Sequence, residues 1–323
     1  MKIGFTYDLR SKHQPDENSP ADYYGEYESD ETVAGITDAL TTLGHEVTQI
    51  GNIISLVKFL AEGKRVDLVF NMAEGRHGRT RESQVPSLLE AYQIPYTFSD
   101  SLTLAICLDK GRAKEILKLA QIPTPAHQVF EPETDIETII AYPLFLKPLY
   151  EGTSKGINEK SIIYTKDALF ARTKWLWSEY RQPVLLEKYL PGREFTVGIL
   201  GTGKDAHVLG MMEVLLNEGG KIYGFHEKEN YTRLVSYQFD IESPLRDKLA
   251  KMALASWRTL ECRDGGRVDI RLDDKGNPHV LELNTLPGLH LRDSDLTIIA
   301  HSVGMSFVEL IDEILHHAMK RMK

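Results

Sequence analysis

Two cysteines in 323 residues, Cys107 and Cys262, are too few to staple a fold. Both fall in stretches that read as helical and far apart, which fits buried thiols in a reducing cytoplasm. Long hydrophobic runs are missing as well: nothing approaches the ~20 apolar residues of a membrane span. The opening Met1-Lys-Ile-Gly-Phe-Thr-Tyr-Asp reads as a first strand, because Asp8 and Arg10 break up any leader-like segment. Basic charge is in deficit, 38 Lys and Arg against 47 Asp and Glu, and the resulting −9 argues against a nucleic-acid partner. Internal repeats, low-complexity tracts and a Walker A loop are all absent. The individual basic residues are therefore read as site chemistry and not as a polyanion track.

At this length two or three domains are expected. Over the first hundred residues strand and helix alternate. Strands are expected at 2–7, 46–50, 66–72 and 94–98, with helices around Val33, Ile36 and Leu40, at 53–60 and at 83–92. The alternation predicts an open parallel, Rossmann-like sheet with helices on both faces. Residues 11–31 interrupt it with a polar, acidic, tyrosine-rich stretch, readable as a disordered surface loop or as a lid over a substrate crevice. A small α+β section follows, with helices at 109–120, 136–141 and 167–180 and strands at 128–130, 144–149 and 161–164. From 183 strands dominate, at 184–189, 194–200 and 207–216, joined by helices at 245–261 and 306–321. The expected division is an α/β substrate domain at 1–104, a central unit at 105–187, and a C-terminal unit with a metal site at 188–323.

The most informative stretch is 267–288. Two short strands, 267–272 and 279–284, flank a turn rich in Asp, Gly, Asn and Pro. Pairing Leu272 with His279 sets Asp269 opposite Glu282 and Arg267 opposite Asn284, all on one face. Like charges so placed repel. Two carboxylates and an amide beside a guanidinium make sense around hard cations and a phosphate. Val268, Ile270, Leu272, Leu281 and Leu283 would anchor the other face in a core. Upstream, Lys147-Pro-Leu-Tyr-Glu-Gly-Thr-Ser-Lys-Gly156 joins a strand end to a small-residue loop, where backbone N–H groups and the Thr153 and Ser154 hydroxyls could cradle phosphate. The run Leu185-Leu-Glu-Lys-Tyr-Leu-Pro-Gly-Arg-Glu194 could equally be an exposed strand edge or a linker whose main chain and Glu187 meet adenine.

Lys110, the 147–156 loop, 187–194, 223–228, Arg267 to Asp269 and Glu282 to Gly288 stand in the order and spacing of ATP-grasp ligases. The chain most closely resembles the D-alanine–D-alanine ligase family, above all in Glu282-Leu-Asn-Thr-Leu-Pro-Gly288 and Glu187-Lys-Tyr-Leu-Pro-Gly-Arg-Glu-Phe-Thr-Val197. The resemblance implies a three-domain ATP-grasp fold and an ATP-dependent ligase that forms a dipeptide-like amide through an acylphosphate. It implies ATP held by Lys110, Lys147, Thr153, Ser154, Glu187, Lys188, Leu190, Glu194, Tyr223 and Lys228. Two magnesium ions, with manganese able to serve, would sit on Asp269, Glu282 and Asn284. Arg267, Lys228, Thr153 and Gly288 would act on the reacting groups, and the segment 223–231 would close over ATP.

The same resemblance implies small amino-acid-like substrates and a homodimer, while net charge and the lack of long apolar runs argue against nucleic-acid and membrane partners. Substrate positions depart from the family. Tyr27 stands near the family's ammonium-gripping Glu, flanked by Glu26 and Glu28. Arg76, Arg79 and Arg81 become available to carboxylates. Glu229 replaces a Tyr, and Asp293, next to Ser294, replaces a Ser. The expected substrate residues are thus Glu28, Arg76, Glu229, Asp293 and Ser294, and the two acidic replacements predict a cationic or amine-bearing acceptor. The alternatives are a ligase for another amino acid, amine or carrier-bound substrate, or a nucleotide-binding protein without turnover.

Overall fold

The structure is a computed structural model and describes residues 1–13, 15, 19–132, 134–216 and 235–322. Three parallel strands open the chain: β1 (Lys2–Tyr7), β2 (Glu46–Gln49) and β3 (Leu68–Met72), in the order β2-β1-β3. Between and after them come α1 (Asp30–Thr42), α2 (Ile53–Ala61) and α3 (Gln84–Ala91). Ser29 and Asn52 cap the first two, each side chain accepting from a backbone N–H three residues on. Strand periodicity splits β3 between two cores. Leu68, Phe70 and Met72 pack with α1, while Val69 packs with α2 and α3. The strand expected at 94–98 is instead a single parallel bridge between Val69 and Tyr96. Phe98 adopts a φ of 71°, which breaks the extended run. The chain then enters α4 (Ser101–Leu108), capped by Asp100, the helical setting expected for Cys107.

After α5 (Lys110–Leu119) comes an antiparallel sheet of order β4-β7-β5-β6, from β4 (His127–Phe130), β5 (Leu144–Pro148), β6 (Ile162–Ile163) and β7 (Val184–Lys188). Helix α6 (Lys166–Tyr180) covers it through Leu169 and Leu176. The helix expected at 136–141 does not form. Ile140 N–H donates to the Thr138 hydroxyl, a local bond that competes with helical pairing, and Pro143 closes the segment.

The third sheet runs β10-β9-β8-β11-β12, all antiparallel: β8 (Glu194–Leu200), β9 (His207–Leu216), β10 (Val235–Gln238), β11 (Gly265–Leu272) and β12 (Pro278–Asn284). Helix α7 (Ser243–Thr259) packs behind it through Trp257, and the chain continues into α8 (Asp295–Ser302) and α9 (Phe307–Lys320). Cys107 in α4 and Cys262 beyond α7 are buried free thiols, far apart in sequence but packed in one core.

The hairpin register holds where the chemistry is, pairing Arg267 with Asn284 and Asp269 with Glu282. Beyond Asp269 a bulge intervenes, so Leu272 faces Pro278 and not His279. Val280 takes the core position expected of Leu281, and Leu281 turns toward the cavity side with Glu282.

Candidate active site

Two cavities meet at Arg267 and Glu282. The first, about 720 Å³, lies between β5, β7 and the hairpin, lined by Lys147, Ser154, Glu187, Lys188, Leu190, Glu194 and Asp269. The second, about 950 Å³, is enclosed by Glu28, Glu74, Glu82, Lys110, Thr153, Asn284, Gly288 and Ser294. Thr153 and Ser154, at φ 47° and 56°, are both left-handed, a conformation costly for a β-branched residue. This strained pair puts one residue in each cavity.

The acidic segment 19–28 holds that loop in place. Gly152 N–H donates to Glu26 Oε1 at 2.6 Å and Gly156 N–H to Asp22 Oδ2 at 2.7 Å, so this part is no free surface loop. Glu26 also pairs with Arg81 at 2.5 Å and Lys155 at 3.2 Å. Burial alone would raise its carboxyl, but these two cations outweigh it and hold it at about 2.

Lys147, on β5, stands 3.2 Å from Glu187 and 3.5 Å from Glu282. Burial works against its charge, but the two carboxylates prevail and raise its pKa, so it is a fixed cation. Lys110 lies 3.9 Å from Glu282 and donates to the Glu151 carbonyl. The Glu187 carboxylate is taken by Lys147 and by Lys114, 2.6 Å away. It therefore positions Lys147. Lys188 lines the cavity, but its ammonium donates to the Ala141 and Tyr142 carbonyls. Glu194 pairs with Arg271 at 3.0 Å.

Arg267 Nη1 donates to both oxygens of Asp269, at 2.7 and 2.5 Å, and sits 3.2 Å from Asp295. Burial disfavours its charge, yet these carboxylates raise its pKa further. Asn284 Nδ2 donates to Asp269 Oδ2 at 3.0 Å, and the Thr196 hydroxyl to Oδ1 at 3.1 Å. Among the described residues no three His, Cys, Asp or Glu side chains form a metal cage. The fit is to a hard cation on two carboxylates and an amide oxygen, its shell completed by water and phosphate, as magnesium prefers.

Several expected substrate residues are placed differently. Asp293 is exposed and pairs with His290 at 3.2 Å instead of lining the second cavity; Ser294 lines it, accepting from His290 N–H at 2.8 Å. Arg76 lines a neighbouring cleft, over the Tyr23 ring, and not the substrate cavity. Tyr223, Lys228 and Glu229 lie outside the described residues. The sequence reading gave no role to Lys114, Asp295, Glu74 or Glu82, and named Glu26 and Thr196 only as neighbours within the substrate and nucleotide motifs. Lys114 left a signal, a lysine on the same helical face as Lys110, four residues away.

Residues 116–316 match the family described as D-ala D-ala ligase C-terminus. A D-alanine–D-alanine ligase of Clostridium botulinum (strain Okra) is 33% identical over 286 residues, 87% of this chain and 90% of that protein. The uncharacterised protein y4sG of Sinorhizobium fredii is 32% identical over 303 residues, covering 88% and 87%. In fold, the D-alanine–D-alanine ligase of Bacillus anthracis, crystallised with ATP, superposes with a TM-score of 0.77 over 99% of this chain and 98% of that one, at 23% identity. The chain belongs to the D-alanine–D-alanine ligase family and has its ATP-grasp fold.

Proposed function

We propose that this protein is an ATP-dependent, ADP-forming ligase that joins two amino-acid-like substrates in a dipeptide-like amide. The observation that carries this reading is the junction of the two cavities at Arg267 and Glu282. One cavity suits a nucleotide, the other the substrates, and phosphoryl transfer needs them contiguous.

A substrate carboxylate oxygen attacks the γ-phosphorus, the bond to ADP breaks, and an acylphosphate forms. The second substrate's amine then attacks the acyl carbon, phosphate leaves, and the nitrogen gives up a proton. Magnesium, where bound at Asp269, Glu282 and Asn284, supplies neutralisation of phosphate charge. Lys147 and Lys110 add fixed positive charge beside Glu282. Arg267, held by Asp269 and Asp295, is poised for the oxyanion of the second step, with the main chain at Gly288 lining the same cavity. Glu28 lines the substrate side and is suited to an ammonium. The sequence further assigns Lys228 and Glu229 to a segment closing over ATP, and the family likeness favours a cytoplasmic homodimer.

The test is ADP and phosphate release with paired D- and L-amino acids, ATP and magnesium, with the product identified by mass. ATP binding without turnover on any pair would refute the ligase reading.

A further inference from the structure

Among the described residues, three of the carboxylates around the substrate cavity lack a full cationic partner. Glu26 is neutralised by Arg81 and Lys155, and Glu282 stands beside Lys147 and Lys110. Glu28, Glu74 and Glu82 remain. Among the described residues Glu28 and Glu74 make no ion pair. Among the described residues Glu82 has its one ion pair with Arg81, at 3.8 Å, and that guanidinium is closer to Glu26 and also donates to the Tyr150 carbonyl. An ordinary amino acid brings one ammonium, which Glu28 can take under the reading above. Glu74 and Glu82, which line the same cavity, are then in surplus.

A second observation points the same way. Thr285, 2% exposed, lines this cavity, and its hydroxyl has no hydrogen-bond partner among the described residues. A buried hydroxyl is rarely left so unless a ligand completes it.

Resting on the ligase reading, we propose that Glu74 and Glu82 form a second cation subsite, and that one substrate is a diamino acid bearing a side-chain ammonium. Burial first, and then neighbouring carboxylates, push both groups up, Glu82 to about 7, so an arriving ammonium takes the place of the proton these buried groups tend to hold. The specificity is also negative. A small neutral amino acid would leave these two buried acidic groups without a cation.

The experiment uses the whole chain with 2,3-diaminopropionate, ornithine and lysine against alanine and serine, each as D and L isomers. Turnover is read as phosphate release, and binding by calorimetry with a non-hydrolysable ATP analogue. A diamino acid should be preferred over every neutral one. Glu74→Gln and Glu82→Gln, isosteric and checked for folding by thermal melts, should each lower that preference by about 10- to 100-fold, as for a hydrogen bond to a charged group. Neutral amino acids preferred by the unmodified protein, or a preference unchanged in both variants, would overturn the proposal. Calorimetry separates the two readings: a diamino acid that binds through Glu74 and Glu82 but is never ligated leaves the subsite standing and refutes the ligase.

Discussion

Arg267 and Asp269 lie two residues apart on one face of β11, and their pairing changes what neutralising a carboxylate does. In an isolated acidic hairpin, removing one charge would relieve repulsion. Here Asp269 is bound by Arg267, and Glu282 stands near Lys147 and Lys110. Asp269→Asn and Glu282→Gln should therefore each lower stability by about 1–3 kcal/mol while lowering ligation at saturating magnesium by about 100-fold or more. Phosphate release and urea titration measure the two effects. Near-normal turnover in either variant would sink the metal assignment. Lys114 acts one contact further away. Lys114→Met leaves Glu187 with Lys147 alone, and the stronger pull on Lys147 should raise KM for ATP more than it lowers kcat. An unchanged KM with lower stability would make Lys114 a structural support only.

At the scale of elements, the chemistry-bearing hairpin was legible because period-two patterning fixes which side chains share a face. Its bulge was not, since Val280 and Leu281 are both apolar and either satisfies the pattern. Helix α4 was legible only as a helical setting for Cys107, without bounds, because Ser101–Leu108 is nearly all apolar and carries no amphipathic stripe. The pairing of 19–28 with the 152–156 loop joins residues more than 120 positions apart, which local pattern cannot show. That pairing has a pH signature. The Glu26 carboxyl falls from its usual 4.5 to about 2 in the folded protein, so it stabilises fully above 4.5 and the gain is lost as pH falls through 2. Its side chain is 8% exposed, and the shift corresponds to about 3 kcal/mol. Glu26→Gln should flatten the dependence of unfolding free energy on pH between 5 and 2. Parallel curves for variant and parent would show that this contact does not set the acid limb.

Across the whole molecule, the N-terminal sheet does not bury itself alone. Ile3, Phe5 and Val33 share one core with Leu286, Leu296, Leu310, Ile311, Ile314 and Leu315 from the far end of the sequence. Asp264, fully buried, accepts from Phe98 N–H at 2.7 Å and from Arg321 Nε at 3.0 Å, and Arg321 also donates to the Tyr96 carbonyl at 3.0 Å. Losing α9 would therefore expose the first sheet as well as the last, and the two should unfold together. Ile314 is the position to probe, because it is fully buried in that core and also lies against Gly265 of β11. Ile314→Ala removes about 2–5 kcal/mol of packing and leaves a cavity between the two sheets. Calorimetry should show one transition in the parent protein and one, at lower temperature, in the variant. A variant melting in two steps, with only one displaced, would mean that the N-terminal sheet is an independent unit after all.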